Sequence, residues 1–302
     1  MAIAFLFSGQ GAQKVGMGRS LTQSSAAAQE KFETADRVLD FSLSQLCFEG
    51  APEKLTPTSV CQPALYVHGL AAIAAYAERL GPPDIACTAG LSLGELTALH
   101  LAGVFSFEDG LRVVAERGRL MQEACEGSAG GMVSLIGGTP KAAFDLAREH
   151  DLDVANLNCP GQIVLSGDLA RIDSATAAAK GAGFKMAAKL DVAGAYHSRL
   201  MQPAAEAFAH FLSGIDFADP LVPVYSNVTG QPHTTAAEIK RLLVEQVTSP
   251  VRWEDCLRAC LTHNPQALYE CGPGNVIAGH MKRIDRDVSV KPLGEFGDLP
   301  SA

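Results

Sequence analysis

Alternating apolar and polar segments along the chain predict an α/β fold. The apolar run at residues 3–7 predicts a buried strand, and the small, apolar run at 85–89 predicts a second. Between them, residues 63–80 repeat apolar positions with a helical period that stops at Gly81-Pro82-Pro83. Buried strands separated by helices are typical of a parallel sheet covered by helices.

Residues 132–192 follow a different order. The pattern predicts strands and helices at 132–136 (strand), 140–150 (helix), 153–158 and 162–166 (strands), 169–180 (helix) and 185–192 (strand). Thr139 before Pro140 fits a helix N-cap with proline at the first helical position, and Asp168 fits a second N-cap. This order is that of the ferredoxin-like fold. We therefore predict a small α+β subdomain at 128–195, inserted into a large domain formed by 1–127 and 196–302.

After the insertion, the pattern returns to alternating helices and strands. It predicts helices at 198–212, 236–247 and 253–262 and strands at 222–226 and 267–270. Four segments follow predicted strands directly: the Gln10 loop, Ser92, Asn227 and the turn at 272–274. In an open parallel sheet the carboxyl ends of the strands form the ligand crevice, so we expect these four segments at one edge.

Gly90-Leu91-Ser92-Leu93-Gly94 matches the GxSxG pattern of a nucleophile elbow. It stands between a predicted strand and a predicted helix, as that motif requires. The turn is strained, and flanking glycines let the backbone pass closely while the serine hydroxyl stays exposed at the helix N-terminus. Ser92 is therefore the candidate nucleophile.

A serine hydroxyl needs a base within hydrogen-bond reach, and histidine is the commonest base. Most of the eight histidines fall in predicted helices or polar turns. His197 instead lies in the loop where the chain returns from the subdomain, the kind of position where active-site residues concentrate. Arg117 lies on a predicted helix, and its spacing alone indicates only a solvated surface charge.

Composition excludes several classes of function. The chain has 302 residues, 47% of them hydrophobic, and a formal charge of -9, which argues against nucleic-acid binding. The longest apolar stretch, at 64–77, contains His68 and is too short to span a bilayer, so we expect a cytoplasmic protein without a membrane segment. The eight cysteines show no metal-ligand spacing, and neither a metal nor another cofactor is expected.

Seven motifs, in order along nearly the whole chain, resemble those of the malonyl-CoA:acyl carrier protein transacylases. They are residues 7–13, 90–95, 117–122, 194–198, 226–230, 246–253 and 272–274. The resemblance implies a hydrolase-like α/β core with a ferredoxin-like insertion. It also implies malonyl-CoA and acyl carrier protein as substrates and transfer by a ping-pong mechanism. We expect no cofactor and, separately from the resemblance, a monomer.

The resemblance assigns roles position by position. Ser92 matches the acylated nucleophile and His197 its general base and acid. Gln246 matches the residue whose backbone carbonyl orients the base, in place of a carboxylate. Gln10 and Leu93 match the residues whose backbone N–H groups form the oxyanion hole.

Substrate selection is assigned in the same way. Arg117 matches the arginine that pairs with the free malonyl carboxylate. The family commonly has histidine where this chain has Leu91, so a ring hydrogen bond beside the acyl pocket is absent here. Tyr196, just before His197, resembles the malonyl-selective pattern more than the methylmalonyl one.

Several alternatives stay open at this stage. The same chemistry would serve fatty-acid synthesis or, in a free-standing acyltransferase, a polyketide pathway. A serine esterase or thioesterase would share the GxSxG pattern and need an acid, for which Asp153 or Asp191 could serve. A docking scaffold without catalysis would form no covalent intermediate, and a dinucleotide-binding oxidoreductase would need a third glycine that the Gln10 loop lacks.

Overall fold

The structure, a computed structural model, describes residues 2–301. The strands in that range are β1 Ala2–Phe7, β2 Asp84–Gly90, β3 Gly130–Ile136, β4 Asp153–Cys159, β5 Gln162–Asp168, β6 Met186–Lys189, β7 Ala267–Cys271 and β8 Val290–Pro292. The α-helices are α1 Arg19–Ser24, α2 Ala26–Val38, α3 Leu43–Glu49, α4 Pro52–Leu55, α5 Thr58–Leu80, α6 Leu93–Leu101, α7 Phe107–Glu126, α8 Pro140–Glu149, α9 Leu169–Ala178, α10 Gln202–Ser213, α11 Ala236–Gln246, α12 Trp253–Leu261 and α13 Val276–Ile284.

The large domain is built on a parallel sheet with the strand order β2-β1-β7-β8. Phe7, the last residue of β1, is in register with Gly90 of β2 and Cys271 of β7. The carboxyl ends of these strands are therefore level, and the loops that follow them meet at one edge. The predicted α/β class with a parallel sheet is confirmed.

Helix α5 forms the centre of the large domain's core. Within residues 2–301 it is the single helix long and apolar enough to cross a membrane, although the sequence predicted too short a span. Its most apolar 18-residue window is 83% buried inside the protein, and the helix packs against α2, α7 and α6. The apolar composition of α5 is thus explained by burial in the protein core.

The second sheet is antiparallel and has the order β4-β5-β3-β6. With α8 and α9 between its strands, it has the topology of a ferredoxin-like fold, as predicted. Its own core contains Val133, Leu165, Leu146 and Ile172. The whole sheet lies within residues 128–195, the range predicted for the insertion.

The structure corrects the elements predicted next to the insertion. The strand predicted at 222–226 is reduced to isolated bridges, Thr88 with Val224 and Tyr225 with Pro232. Pro223 has no N–H for a ladder, which limits pairing to its carbonyl oxygen, the acceptor for Thr88 N at 2.9 Å. β6 is shorter than predicted, and the helix predicted from Ser198 starts as a 3₁₀ turn at Arg199–Met201.

Candidate active site

Ser92 lies in a strained turn between β2 and α6. Its backbone has φ 53° and ψ -103°, outside the conformations that L-residues favour. A Cβ on Gly90 would lie 1.9 Å from the Gly94 carbonyl carbon, and one on Gly94 would lie 2.3 Å from Phe7 O. Both GxSxG glycines are therefore required by close backbone contacts, and the turn presents the Ser92 hydroxyl at the N-terminus of α6.

His197 is placed to act on that hydroxyl. Its Nε2 lies 2.8 Å from Ser92 Oγ, and its Nδ1 lies 2.8 Å from the backbone oxygen of Gln246. Since a carbonyl oxygen can only accept, Nδ1 is the protonated nitrogen and Nε2 is free to accept from Ser92. The carbonyl fixes the tautomer that a general base needs.

The environment of His197 keeps its ring neutral. Burial, and secondly the positive charge of Arg117, lower the pKa of His197 from 6.5 to about 4. A base must be unprotonated to accept the Ser92 proton. His197 thus stays in its active form well below neutral pH.

The pH dependence of acylation follows from this low pKa. We expect kcat/KM for release of coenzyme A from an acyl-CoA to stay level between about pH 5 and pH 8, because His197 is neutral throughout that range. The rate should fall only as the pH approaches 4, where His197 becomes protonated. Stopped-flow measurement of thiol release checks this, with circular dichroism as a control for unfolding, and an acid limb near 6.5 would contradict it.

Arg117 is buried, so the interpretation of its spacing as a solvated charge is wrong. The side chain is 1% exposed and donates from Nη1 to Gln62 Oε1 (2.7 Å) and from Nη2 to Gln246 Oε1 (2.8 Å) and Ser92 Oγ (3.1 Å). Burial lowers its pKa to about 10, which leaves it charged at neutral pH. The missing side chain of Gly118 lets α7 lie this close to α5, since a Cβ there would lie 2.7 Å from Thr58 O.

The guanidinium of Arg117 lacks protein partners for its positive charge and for one of its hydrogen-bond donors. Among residues 2–301 no carboxylate lies within ion-pair distance of it, and its buried Nε has no hydrogen-bond partner. A buried charge without a partner is unfavourable. The site therefore favours a ligand that brings a negative charge close to Ser92 Oγ.

A buried carboxylate, Glu95, connects the parts of this site, and sequence reasoning missed it. Its Oε1 lies 2.7 Å from His233 Nε2, and its Oε2 accepts from Gln246 Nε2 (2.6 Å) and Asn227 N (2.9 Å). The Asn227 side chain in turn accepts from Ser92 N at 2.6 Å. A glutamate directly after the second elbow glycine, in the first turn of a mostly apolar helix, was the available signal.

Two backbone amides beside Ser92 are free to bind an oxyanion. Leu93 is the first residue of α6, at the positive end of the helix dipole, and Gln10 lies in the turn after β1. Both residues line the same cavity as Ser92. Neither N–H has an acceptor within the part of the chain that the structure describes.

A cavity of about 320 Å³ leads to Ser92 and is bounded by both sheets. Residues from the large domain, from β3, β4 and β5 of the subdomain, and from α13 line it. Leu91 contributes an apolar wall to this cavity. The arrangement suits a slender ligand that reaches the nucleophile between the two domains.

The geometry excludes a hydrolase triad with either aspartate considered above. Asp153 accepts from the backbone N and the guanidinium of Arg199, and Asp191 is exposed. The His197 nitrogen that would contact an acid is bonded to the Gln246 carbonyl instead. The structure thus brings together all six predicted site residues and neither of the two aspartates: Gln10, Ser92, Leu93, Arg117, His197 and Gln246.

The elbow, its histidine and the ferredoxin-like insertion together define an acyltransferase. Residues 4–290 match the family described as acyl transferase domain. The malonyl CoA-acyl carrier protein transacylase of Bacillus subtilis is 42% identical over 94% of this chain and 90% of its own length.

Solved structures agree with this match. The acyl-carrier-protein-S-malonyltransferase of Bartonella henselae is 37% identical, with a TM-score of 0.94 over 99% of this chain and 97% of that chain. A malonyl-transacylase in complex with its type II PKS acyl-carrier protein is 35% identical, with a TM-score of 0.93 over 99% and 98%. The chain belongs to the malonyl CoA-acyl carrier protein transacylase family.

Proposed function

We propose that this enzyme transfers a malonyl group from malonyl-CoA to the phosphopantetheine thiol of acyl carrier protein, through a malonyl ester of Ser92. The observation that carries the proposal is the buried, unpaired guanidinium of Arg117, 3.1 Å from Ser92 Oγ. Family membership supports an acyl transfer, and this cation accounts for an acyl group with a carboxylate at its far end.

In the first half-reaction, Ser92 Oγ attacks the thioester carbonyl while His197 Nε2 takes its proton. The carbonyl oxygen becomes negative and is bound by the amides of Gln10 and Leu93, each worth about 3 kcal/mol. The intermediate collapses to the Ser92 ester and the thiolate of coenzyme A. That thiolate takes the proton from His197 and leaves as the thiol.

The second half-reaction reverses these steps with the carrier thiol. His197 takes the thiol proton, the thiolate attacks the Ser92 ester, and the malonyl group moves to sulfur. The Ser92 oxygen leaves and recovers the proton from His197. In both half-reactions the Gln246 carbonyl stabilises the protonated ring of His197, which is the role of the acid in a hydrolase triad.

We infer that the product supplies extender units for fatty-acid synthesis in the cytoplasm, with the enzyme acting as a monomer. Every proposed catalytic group lies in one chain, so the proposed reaction does not require a residue from a second copy. A polyketide pathway is the second candidate, favoured by the similar malonyl-transacylase that is solved with a type II PKS acyl-carrier protein.

Basic residues beside the cavity are proposed to bind the carrier protein, because carrier proteins are usually acidic. Lys282 and Arg283 are exposed in the last turn of α13, and Lys185 and Lys189 lie at the two ends of β6. Lys189 is paired with Asp173, which reduces the charge that it can offer. We therefore expect Lys282 and Arg283 to contribute most.

Reversing both α13 charges, Lys282→Glu with Arg283→Glu, should raise the KM for the carrier protein about tenfold at low ionic strength. The KM for malonyl-CoA should change less. Arg37→Glu on α2, an exposed arginine that does not line the cavity, is the control. If the double variant has the same carrier KM as the control, the patch is rejected.

A transfer assay tests the proposed function as a whole. The enzyme is incubated with malonyl-CoA and holo carrier protein, and the carrier is weighed intact. We expect the carrier to gain one malonyl group with the wild type and none with Ser92→Ala. If the wild type loads no malonyl, or loads acetyl equally well from acetyl-CoA, the proposal is wrong.

A further inference from the structure

A buried pair, Glu95 and His233, lies behind the active site and outside the cavity that contains Ser92. The two residues are 0% and 4% exposed, and Glu95 Oε1 lies 2.7 Å from His233 Nε2. Neither residue lines the cavity. Since a carboxylate oxygen can only accept, Nε2 is the protonated nitrogen of the ring. No step of the proposed reaction uses either group.

His233 is held in the fold with its ring bonded to Glu95 alone. The chain turns back between Tyr225 and Pro232, which form an isolated bridge, and His233 N then donates to Val224 O at 2.9 Å. The other ring nitrogen, Nδ1, is enclosed and has no hydrogen-bond partner among residues 2–301. An enclosed polar atom without a partner is unfavourable, so the ring's contact with Glu95 calls for a role.

The Gln246 side chain connects Glu95 to Arg117. Both N–H bonds of its amide are used, one by Glu95 Oε2 (2.6 Å) and one by the backbone oxygen of Ser92 (3.1 Å). Its Oε1 therefore faces Arg117 Nη2, at 2.8 Å. A reversed amide would set its oxygen against the Glu95 carboxylate and its NH₂ against the guanidinium, and neither pair can form a hydrogen bond. Glu95 thus fixes which end of the amide meets Arg117.

The amide in turn fixes the direction of the guanidinium. Arg117 is held at both terminal nitrogens, by Gln62 Oε1 at Nη1 and by Gln246 Oε1 at Nη2. A planar guanidinium held at two points presents its remaining donors in one direction. Nη2 stays 3.1 Å from Ser92 Oγ as a result. A carboxylate on an acyl group at Ser92 is paired well only while this orientation is kept.

We propose that Glu95 and His233 are positioning residues that select the malonyl group, because they hold the Gln246 amide that orients Arg117. This inference rests on the proposed function and adds two residues that do not touch the substrate. An acetyl group has no carboxylate for Arg117 to pair with. Disturbing the pair should therefore slow malonyl transfer more than acetyl transfer.

The test is the ratio of kcat/KM for malonyl-CoA to kcat/KM for acetyl-CoA, measured in transfer to holo carrier protein. His233→Leu leaves Glu95 Oε1 without a donor, and Glu95→Asp draws the carboxylate away from Gln246 by one methylene group. Both variants keep the carboxylate, because burial lowers the pKa of Arg117 and the Glu95 charge opposes that shift. Each should lower the ratio about tenfold, the value of one lost hydrogen bond.

Controls separate positioning from folding. His233→Gln restores an N–H donor and should recover most of the ratio. His263→Leu, at an exposed histidine that lines the same surface pocket as His233, should keep the wild-type ratio. If His233→Leu does not fold, His233→Asn replaces it, since its amide is too short to reach Glu95. One preparation serves both substrates, so a partly unfolded sample lowers both rates by the same factor.

A double variant tests the route through Arg117. Glu95→Asp added to Arg117→Ala should lower the ratio no further than Arg117→Ala does alone, because the guanidinium that Glu95 orients is gone. A further loss of the ratio would show that Glu95 acts on acyl selection by another route, and would overturn the inference.

Different results overturn the inference and the proposed function. If either His233→Leu or Glu95→Asp keeps the wild-type ratio, whether or not both rates fall, the inference is wrong. The proposed function still stands in that case, provided that the wild type prefers malonyl-CoA. If the wild type shows no such preference, the proposed function itself fails.

Discussion

Alanine in place of His197 is expected to lower kcat for malonyl transfer by about 10³- to 10⁴-fold. The substitution removes the acceptor 2.8 Å from Ser92 Oγ. It leaves Arg117 Nη2 as a hydrogen-bond partner of the same oxygen, but a guanidinium only donates and cannot accept the Ser92 proton. No second histidine or carboxylate of the described chain is hydrogen-bonded to Ser92 Oγ, so nothing replaces the lost base.

The measurement is steady-state transfer to holo carrier protein, with the fold checked by circular dichroism. His210→Ala, at an exposed histidine of α10, is the matched control and should behave as the wild type. A folded His197→Ala protein that turns over at a near-normal rate would reject His197 as the base.

The second large effect concerns selection of the acyl group by Arg117. We expect Arg117→Ala to lower kcat/KM for malonyl-CoA by about 10²- to 10⁴-fold, because a malonyl carboxylate would be buried without a partner, at a cost of about 3 to 5 kcal/mol. Acetyl-CoA has no carboxylate and should lose far less. The malonyl-to-acetyl ratio of kcat/KM should therefore collapse.

The ratio is the decisive quantity because Arg117 also contacts Gln62 and Gln246, and disturbing them would slow both substrates. Arg117→Lys should be intermediate, since lysine keeps the charge without the planar fork. Arg112→Ala on the same helix, where the arginine is exposed and paired with Asp109, is the control. An unchanged ratio in Arg117→Ala would show that the carboxylate is recognised elsewhere.

Local signals predicted most of the fold. The elbow could be identified because its glycines, strand and helix are adjacent in the sequence and the turn requires all of them. The insertion could be identified because Thr139-Pro140 and Asp168 mark helix starts, and their side chains do cap α8 and α9. The prediction of a full strand near Val224 is wrong because strand pairing depends on the neighbouring strand and on the prolines of this segment. The periodicity of apolar residues reports neither.

The spacing of residues along the sequence predicts only part of the active site. The burial of Arg117 depends on how closely α7 crosses α5 at Gly118, a contact between distant segments. The role of Arg117 comes from the resemblance to the family and not from the periodicity of its helix. Glu95 was missed for a similar reason, since its partners Asn227, His233 and Gln246 lie more than 130 positions along the chain.

In the proposed mechanism, the Ser92 hydroxyl carries the malonyl group between the two substrates. Brief incubation with malonyl-CoA without carrier protein, followed by acid quench, proteolysis and peptide mass mapping, tests it most directly. We expect one malonyl group on the peptide that contains Ser92, absent from Ser92→Ala and lost when holo carrier protein is added. A malonyl group on another residue, or an unlabelled enzyme that still loads the carrier, would contradict it.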